Sequence, residues 1–154
     1  MTTIAYHHEH QSISVDGRLT QDNFILTDDH DKTAKNEQGF WFFMGDIIFK
    51  DEFVSLESGQ EMPSHREDSS VSSEVGAILV SGGIVYSVYL LNGRQRRERL
   101  STNEAIGSGS SYAIAAMDFG KNSKEAVRYA AQRDNKTGPN VSTYKVTNDS
   151  VRPC

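Results

Sequence analysis

The first hundred residues alternate between short apolar runs and polar clusters, a pattern that predicts β-strands joined by turns. Strands are expected at residues 3–6, 12–15, 19–27, 39–44, 75–80, 84–91 and 94–100. The run at 40–44 is apolar throughout, which is typical of a strand buried on both faces. We expect it to pair with 19–27, across a polar turn at 28–32. Gly82-Gly83 and Asn92-Gly93 predict tight hairpin turns, because glycine and asparagine tolerate positive φ.

The last third of the chain changes to a helical pattern. Small and apolar side chains recur at helical spacing over 110–119, and Gly120 is a natural stop. A second helix is predicted from 122, where a polar cap precedes an acid in the first turn, to a break at 134–139. Residues 46–59 predict one short helix, 60–73 a polar loop and 141–146 a closing strand. This order favours an α+β fold in which two β layers are covered by helices.

Composition narrows the class of protein. The chain has 154 residues, which predicts a single domain over 1–154, and its 36% hydrophobic and 24% charged content is that of a globular protein. A net charge of −5 argues against nucleic-acid binding. No apolar run reaches the roughly 18 residues of a membrane span, and no secretory signal is recognisable. The single cysteine, Cys154, has no partner for a disulfide, so we expect a cytoplasmic protein.

Two local clusters suggest other chemistry. His7, His8 and His10 lie beside Glu9, but neighbouring residues of a strand face opposite sides, so we predict no metal site there. Four arginines, at positions 94, 96, 97 and 99, form a basic stripe on one predicted strand. A solvated strand edge or a subunit contact explains that stripe better than nucleic-acid binding does.

Four separated segments resemble the proteasome β-subunit/HslV family, in the family's order. They are Met-Thr-Thr-Ile-Ala at 1–5; Asp-Gly-Arg-Leu-Thr at 16–20 with Asn-Phe-Ile at 23–25 and Lys32; Met-Gly-Asp at 44–46; and Ile-Gly-Ser-Gly at 106–109 followed by Asp-Asn-Lys-Thr-Gly at 134–138. Short HslV-like proteins of bacteria and phages are the most similar members. The resemblance implies a four-layer αββα N-terminal-nucleophile hydrolase sandwich. One helical layer is expected to be reduced, because only one short helix stands where the family has two long ones.

The resemblance also implies a nucleophile, Thr2, exposed by removal of Met1. A threonine hydroxyl needs a base beside it, and the free α-amino group can serve, because its reference pKa is about 7.7–8.0. Lys32 is expected to lower the pKa of that amine, and Asp16 to hold Lys32 charged and oriented. The Gly45 N–H is expected to face the oxyanion.

Other roles in the site also follow from the resemblance. Ser108, Asp134 and Thr137 are expected to bond the amine and hydroxyl of Thr2. Thr20 is expected to pair with the substrate main chain, and Phe43 to shape the pocket for the residue before the scissile bond. No metal or cofactor is implied.

The function implied is a threonine peptidase that acts on peptides or proteins through an acyl-enzyme. A homo-oligomeric ring or stacked assembly and an ATP-dependent unfoldase partner are implied with it. Two alternatives remain open at this stage. One is a catalytically inactive protein that keeps the fold for structural or binding purposes, and the other is a hydrolase of small amides.

Overall fold

The structure is a computed structural model that describes residues 2–64, 74–148 and 150–154. The predicted removal of Met1 and most of the predicted 60–73 loop lie outside the described residues.

Twelve strands and three α-helices make up the described residues. The strands are β1 (Thr3–His7), β2 (Ser12–Asp16), β3 (Leu19–Gln21), β4 (Phe24–Thr27), β5 (Thr33–Asn36), β6 (Gly39–Met44), β7 (Gly76–Ser81), β8 (Ile84–Leu91), β9 (Arg94–Arg99), β10 (Glu104–Gly107), β11 (Val141–Val146) and β12 (Val151–Pro153). The helices are α1 (Lys50–Ser55), α2 (Ser110–Asp118) and α3 (Ser123–Arg133), and a 3-10 turn (Ile47–Phe49) precedes α1.

The strands form three antiparallel sheets. The first has the order β10-β1-β2-β11-β12, the second is the β3-β4 hairpin, and the third has the order β5-β6-β7-β8-β9. In the first sheet β1 lies between β10 and β2, with Thr3 opposite Gly107 and Ile4 opposite Val15. This register brings the beginning of the chain beside the segment that leads into α2.

The two five-stranded sheets bury their inner faces against each other. Period-two alternation sends Ile4 and Ile13 of the first sheet toward Phe42 and Ile78 of the third, and all four side chains are fully buried. The outer face of the first sheet packs on α2 and α3 through small residues such as Ala5, Ala113 and Ala126. Small side chains allow the helices to approach the sheet closely.

The outer face of the third sheet is covered differently. Trp41 and Phe43 of β6 pack there against Phe53 of α1, and Leu56 and Met62 extend this cluster along the irregular segment after the helix. Because Trp41 and Phe43 face outward while Phe42 and Met44 face the other sheet, β6 is buried on both faces, as its sequence predicts.

The prediction of a four-layer αββα sandwich is wrong. The described structure is mostly antiparallel β, with three short α-helices, and only the first sheet carries a helix pair. Among the described residues between Met44 and Gly76, the helical structure consists of a three-residue 3-10 turn and the six-residue α1. Six residues of helix span roughly 9 Å, too little to cover a five-stranded sheet.

Other element predictions need smaller corrections. The region 19–27 is a hairpin of two strands, and it does not pair with β6, whose partners are β5 and β7. Strands β5, β10 and β12 were not predicted, because their polar or very short sequences carry little strand signal. The turns at Gly82-Gly83 and Asn92-Gly93 are confirmed, with positive φ at all four residues.

In the described part of the chain the longest helix has 11 residues, and none is long and apolar enough to cross a membrane.

Candidate active site

A cavity of about 700 Å³ opens beside the start of β1. Five of the predicted site residues line it: Thr2, Thr20, Lys32, Phe43 and Gly45. They come from the residue before β1, the β3-β4 hairpin, the segment before β5, and the end of β6 with the residue that follows it. The hairpin and the 3-10 turn add Leu19, Leu26, Ile47 and Ile48 to the wall, which also carries charged side chains such as those of Lys50 and Lys136.

Asp16 and Lys32 form a buried ion pair at this cavity. Lys32 Nζ donates to Asp16 Oδ1 at 3.0 Å, and their side chains are 6% and 0% exposed. Burial lowers the pKa of Lys32, and the neighbouring Asp16 carboxylate opposes this shift without cancelling it. The sequence places Lys32 in a polar stretch that is usually solvated, and only the tertiary structure buries it.

Asp16 also anchors three main-chain segments. Its Oδ1 accepts from the N–H of Thr3 at 3.0 Å, and its Oδ2 accepts from the N–H groups of Arg18 at 3.1 Å and Gly138 at 2.8 Å. With Lys32, this fully buried carboxylate therefore has four donors. It joins the start of β1, the segment after β2 and the 134–138 turn. Asp16 therefore holds these main-chain segments together in addition to pairing with Lys32.

Asp134 is the second acidic centre and ends α3. Its Oδ2 accepts from the hydroxyls of Ser108 at 2.5 Å and Thr137 at 2.6 Å, and its Oδ1 accepts from the Lys136 N–H at 3.1 Å. Burial acts to raise the pKa of Asp134, but these hydrogen bonds outweigh it and leave the pKa below its ordinary value. Asp134 is thus held as a carboxylate.

The hydrogen bonds around Asp134 extend to Thr3, the residue after the predicted nucleophile Thr2. Thr137 Oγ1 lies 2.7 Å from Thr3 Oγ1, and the Gly109 N–H donates to Thr3 Oγ1 at 3.1 Å. The resemblance predicted that Ser108, Asp134 and Thr137 bond the amine and hydroxyl of Thr2. In the structure Thr137 instead bonds Thr3, and Ser108 meets Thr2 through its N–H, which donates to the Thr2 carbonyl at 2.9 Å.

Two glycines allow this close approach. Gly107 has φ of +101°, and a Cβ there would lie 1.7 Å from the Thr2 carbonyl oxygen. A Cβ on Gly109 would lie 2.3 Å from Thr3 Oγ1. The spacing Gly-Ser-Gly at 107–109 therefore has a steric reason, because both positions lack room for a side chain.

Gly45 follows β6 on the opposite wall. Its φ is +122°, and a Cβ there would lie 2.5 Å from the Glu74 carbonyl oxygen. Backbone in this region is available to glycine and strained for other residues. Phe43, two positions earlier, is 2% exposed and packs on Phe53, so it forms a rigid base beneath this wall.

Sequence reasoning missed three residues of the site. Thr3 lies at its centre, and the Thr-Thr pair was the only signal for it. Arg18 bonds both oxygens of Asp28 and the carbonyl of Asn135, which fastens the hairpin to the 134–138 turn. His30 lines the cavity, and its Nε2 is buried with no hydrogen-bond partner in the described part of the chain.

The other two clusters have structural partners. The rings of His7 and His10 stack 3.7 Å apart, His8 Nδ1 bonds the Tyr6 hydroxyl, and the described residues contain no group of His, Cys, Asp or Glu arranged to hold a metal. In the arginine stripe, Arg97 lies over Trp41 and donates to the Leu56 carbonyl, and Arg94 donates to the Gly59 carbonyl.

The same fold is found in solved structures of Thiobacillus denitrificans BPH. One is a complex with epoxomicin; it aligns with a TM-score of 0.69 at 17% identity, covering 95% of this chain and all of that one. A second structure of BPH aligns with the same TM-score at 18% identity, covering 95% of this chain and 99% of that one. No protein-family model matches the chain, and no curated protein is similar at a significant level. At this identity the likeness shows the fold alone.

Thr2 lies among groups that can stabilise charge. A threonine, a buried lysine and a glycine main chain line one cavity, and two carboxylates behind them hold the supporting segments. Thr2 itself is only 3% exposed, so its surroundings are largely desolvated. Exclusion of water strengthens electrostatic interactions with charge that develops during a reaction.

Proposed function

We propose that the chain is a threonine-type peptidase of the proteasome/HslV kind, with Thr2 as nucleophile once Met1 is removed. The observation that carries this proposal is the buried Asp16–Lys32 pair at the cavity that Thr2 lines. Burying two charges is expensive, so a pair kept at the wall of a cavity favours a chemical role over a purely structural one.

In the proposed reaction, Thr2 Oγ attacks the carbonyl carbon of the substrate and its proton passes to the free α-amine. The Lys32 cation lowers the pKa of that amine, so that part of it is neutral and able to accept the proton. The Gly45 N–H donates to the oxyanion. Breakage of the C–N bond releases the amine product, which takes the proton and leaves an ester on Thr2.

Water then attacks the ester and returns Thr2 to its original state. The α-amine accepts the water proton and passes it to Thr2 Oγ as the C–O bond of the ester breaks, and the acid product leaves. One water is consumed for each peptide bond, and no cofactor is needed. Ser108 donates its hydroxyl hydrogen to Asp134, which leaves its oxygen lone pairs free to accept from the amine.

The test is the intact mass of the purified protein before and after a peptide epoxyketone, which reacts with a free N-terminal threonine. We expect loss of Met1 and addition of one inhibitor mass. Thr2→Ala abolishes the adduct, Thr2→Ser retains it, and Thr147→Ala, at an exposed threonine far along the chain, leaves its rate unchanged. Retained Met1 with no adduct would refute the proposal and favour an inactive structural or binding protein.

A comparison of hydrolysis rates tests whether the substrate is a peptide or a small amide. The cavity wall favours a peptide, because its apolar side chains, among them Leu19 and Ile47, offer contacts beyond the scissile bond. We therefore propose that fluorogenic tetrapeptides are cleaved and that simple acyl amides are not. The reverse preference would move the chain to the small-amide class.

We also propose that the protein self-associates. Phe24, Ile25 and Leu26 of the hairpin are 72%, 54% and 56% exposed, and Ile48 across the cavity is 74% exposed. An apolar patch of this kind is commonly covered in solution. Light scattering is expected to give several times the monomer mass, and a monomer would refute the assembly. A ring or stacked form, an ATP-dependent unfoldase partner and a cytoplasmic location stay predictions.

A further inference from the structure

Thr3 joins the two acidic centres of the site through different atoms. Its main-chain N–H donates to Asp16, and its hydroxyl belongs to the network that ends on Asp134. We propose that Thr3 is the positioning residue of this site, which fixes the main chain that carries Thr2. The inference rests on the proposed function and adds a residue to it.

The direction of each hydrogen bond is determined by chemistry. The Asp134 carboxylate only accepts, so the single hydroxyl hydrogen of Thr137 points to it. In the contact between the two threonine hydroxyls, Thr3 must then donate and Thr137 accept. The Gly109 N–H donates to a lone pair of Thr3 Oγ1. The Thr3 hydroxyl is therefore satisfied as donor and acceptor, and its rotation is locked.

Thr3 acts on Thr2 through the backbone. Successive side chains of a strand face opposite sides, so Thr2 reaches the cavity while Thr3 points to the side of α2 and the 134–138 turn. Thr3 is fully buried, and the Thr2 carbonyl accepts from the Ser108 N–H at 2.9 Å. The peptide unit between Thr2 and Thr3 is thus held on both sides, which determines where the Thr2 hydroxyl and amine lie.

A threonine that merely fills space would not need this arrangement. Gly109 leaves no room for a Cβ, since it would lie 2.3 Å from Thr3 Oγ1 and 3.0 Å from Thr137 Oγ1. The hydroxyl pair is therefore enclosed by main chain, with little freedom to rearrange. Loss of the Thr3 hydroxyl leaves the Gly109 N–H without an acceptor and leaves Thr137 Oγ1 without the hydrogen bond that it accepts from Thr3.

The test compares Thr3→Val, which removes the hydroxyl at nearly constant volume, with Thr3→Ser, which restores it. Ser14→Ala is the matched control: Ser14 is fully buried on β2 and its hydroxyl bonds Ser123 and Thr143, on elements that do not line the cavity. Intact mass first establishes that Met1 is removed from each variant. Adduct formation is then followed as a function of epoxyketone concentration.

We expect Thr3→Val to lower the maximal rate of adduct formation about 10²-fold, the typical cost of a displacement near 1 Å. The half-saturating concentration stays near that of the wild type, and every molecule still reacts at long times. Thr3→Ser recovers most of the rate, and Ser14→Ala leaves it unchanged. A lower final extent of reaction at an unchanged rate would indicate a misfolded fraction and overturn the proposal.

A second measurement does not depend on activity. The Ser108 N–H bonds the Thr2 carbonyl, so its hydrogen exchange reports the order of Thr2. In Thr3→Val we expect faster exchange at Ser108, while the Val146 N–H, which bonds the Gln11 carbonyl, keeps its wild-type protection. Unchanged exchange at Ser108 would overturn the positioning role. Absence of any adduct in the wild type would instead refute the peptidase proposal.

Discussion

Replacing Asp16 with asparagine tests whether the site is built around one buried carboxylate. The substitution keeps the shape but removes the charge that faces Lys32, and it replaces one acceptor oxygen with an NH₂ donor. Four donors lie 2.8–3.1 Å from the two oxygens of Asp16. At least two of them would face a donor in the variant, and Lys32 would be buried without a counter-ion.

The expected loss is large. Removing one partner of a buried ion pair typically costs about 3–5 kcal/mol of unfolding free energy. For a chain of this size each kcal/mol lowers the melting temperature by about 2–4 °C, so the variant is expected to melt roughly 6–20 °C below the wild type. Asp28→Asn is the control, because the ion pair of Asp28 with Arg18 is partly exposed. Its loss of unfolding free energy is expected to be a small fraction of the loss in Asp16→Asn.

The loss also depends on pH with a defined sign. Burial lowers the pKa of folded Lys32, whereas the unfolded side chain titrates near its ordinary 10.5. Between these values the unfolded chain binds more protons, so stability rises with pH. Asp16→Asn removes the carboxylate that opposes the lowering, so this rise is expected to begin at lower pH in the variant.

Urea unfolding at pH 7 and pH 9.5, monitored by circular dichroism, measures both the loss of unfolding free energy and its dependence on pH. Asp16→Asn combined with Lys32→Met should recover part of the loss, because a buried pair is often replaceable by apolar residues. The reasoning would be refuted if Asp16→Asn cost no more than Asp28→Asn, or if the double variant were less stable than the single one.

Three further predictions concern separate parts of the molecule. Gly107→Ala places a Cβ 1.7 Å from the Thr2 carbonyl oxygen, so we expect a loss of at least about 1–3 kcal/mol in urea unfolding and slower adduct formation. Gly120→Ala, also at positive φ but with nothing within 4 Å, should leave the adduct rate unchanged. Asn122→Ala removes the α3 cap and its capping box with Glu125, at a cost of about 1 kcal/mol and without change in adduct rate. Burial lowers the pKa of His30, and the cations of Lys50 and Lys32 lower it further. The unfolded wild type therefore binds more protons at His30 than the folded one, and its stability falls as pH falls from 7 to 5. Urea unfolding of His30→Gln should show a smaller loss of stability over this range.

Local patterns of the chain predicted many of its elements. The apolar run at 40–44 is a strand buried on both faces, the two glycine-containing dipeptides form tight turns, and the 110–119 and 122–133 patterns are helices. These features depend on neighbours in sequence, such as the cap at Asn122, whose partner Glu125 is three residues away. Periodicity and turn chemistry are therefore sufficient to recognise them.

Pairing between distant segments was harder to predict. The sequence favoured a pair between 19–27 and 39–44, but β6 lies between β5 and β7. Strand β10 has only four residues, and it becomes a strand because it lies beside β1. Among the described residues between Met44 and Gly76, the 3-10 turn, α1 and an irregular segment stand where the resemblance predicted a reduced helical layer.

The sequence by itself determined which residue types are available to the site and in what order they occur. Tertiary structure alone decided that Lys32 is buried against Asp16, that Thr137 bonds Thr3 and that Ser108 meets the Thr2 carbonyl. These contacts join residues 16 to 134 positions apart, and no local pattern encodes such distances. The physical reason is that a charge or hydroxyl acquires its partner, and hence its pKa and orientation, only when packing excludes water around it.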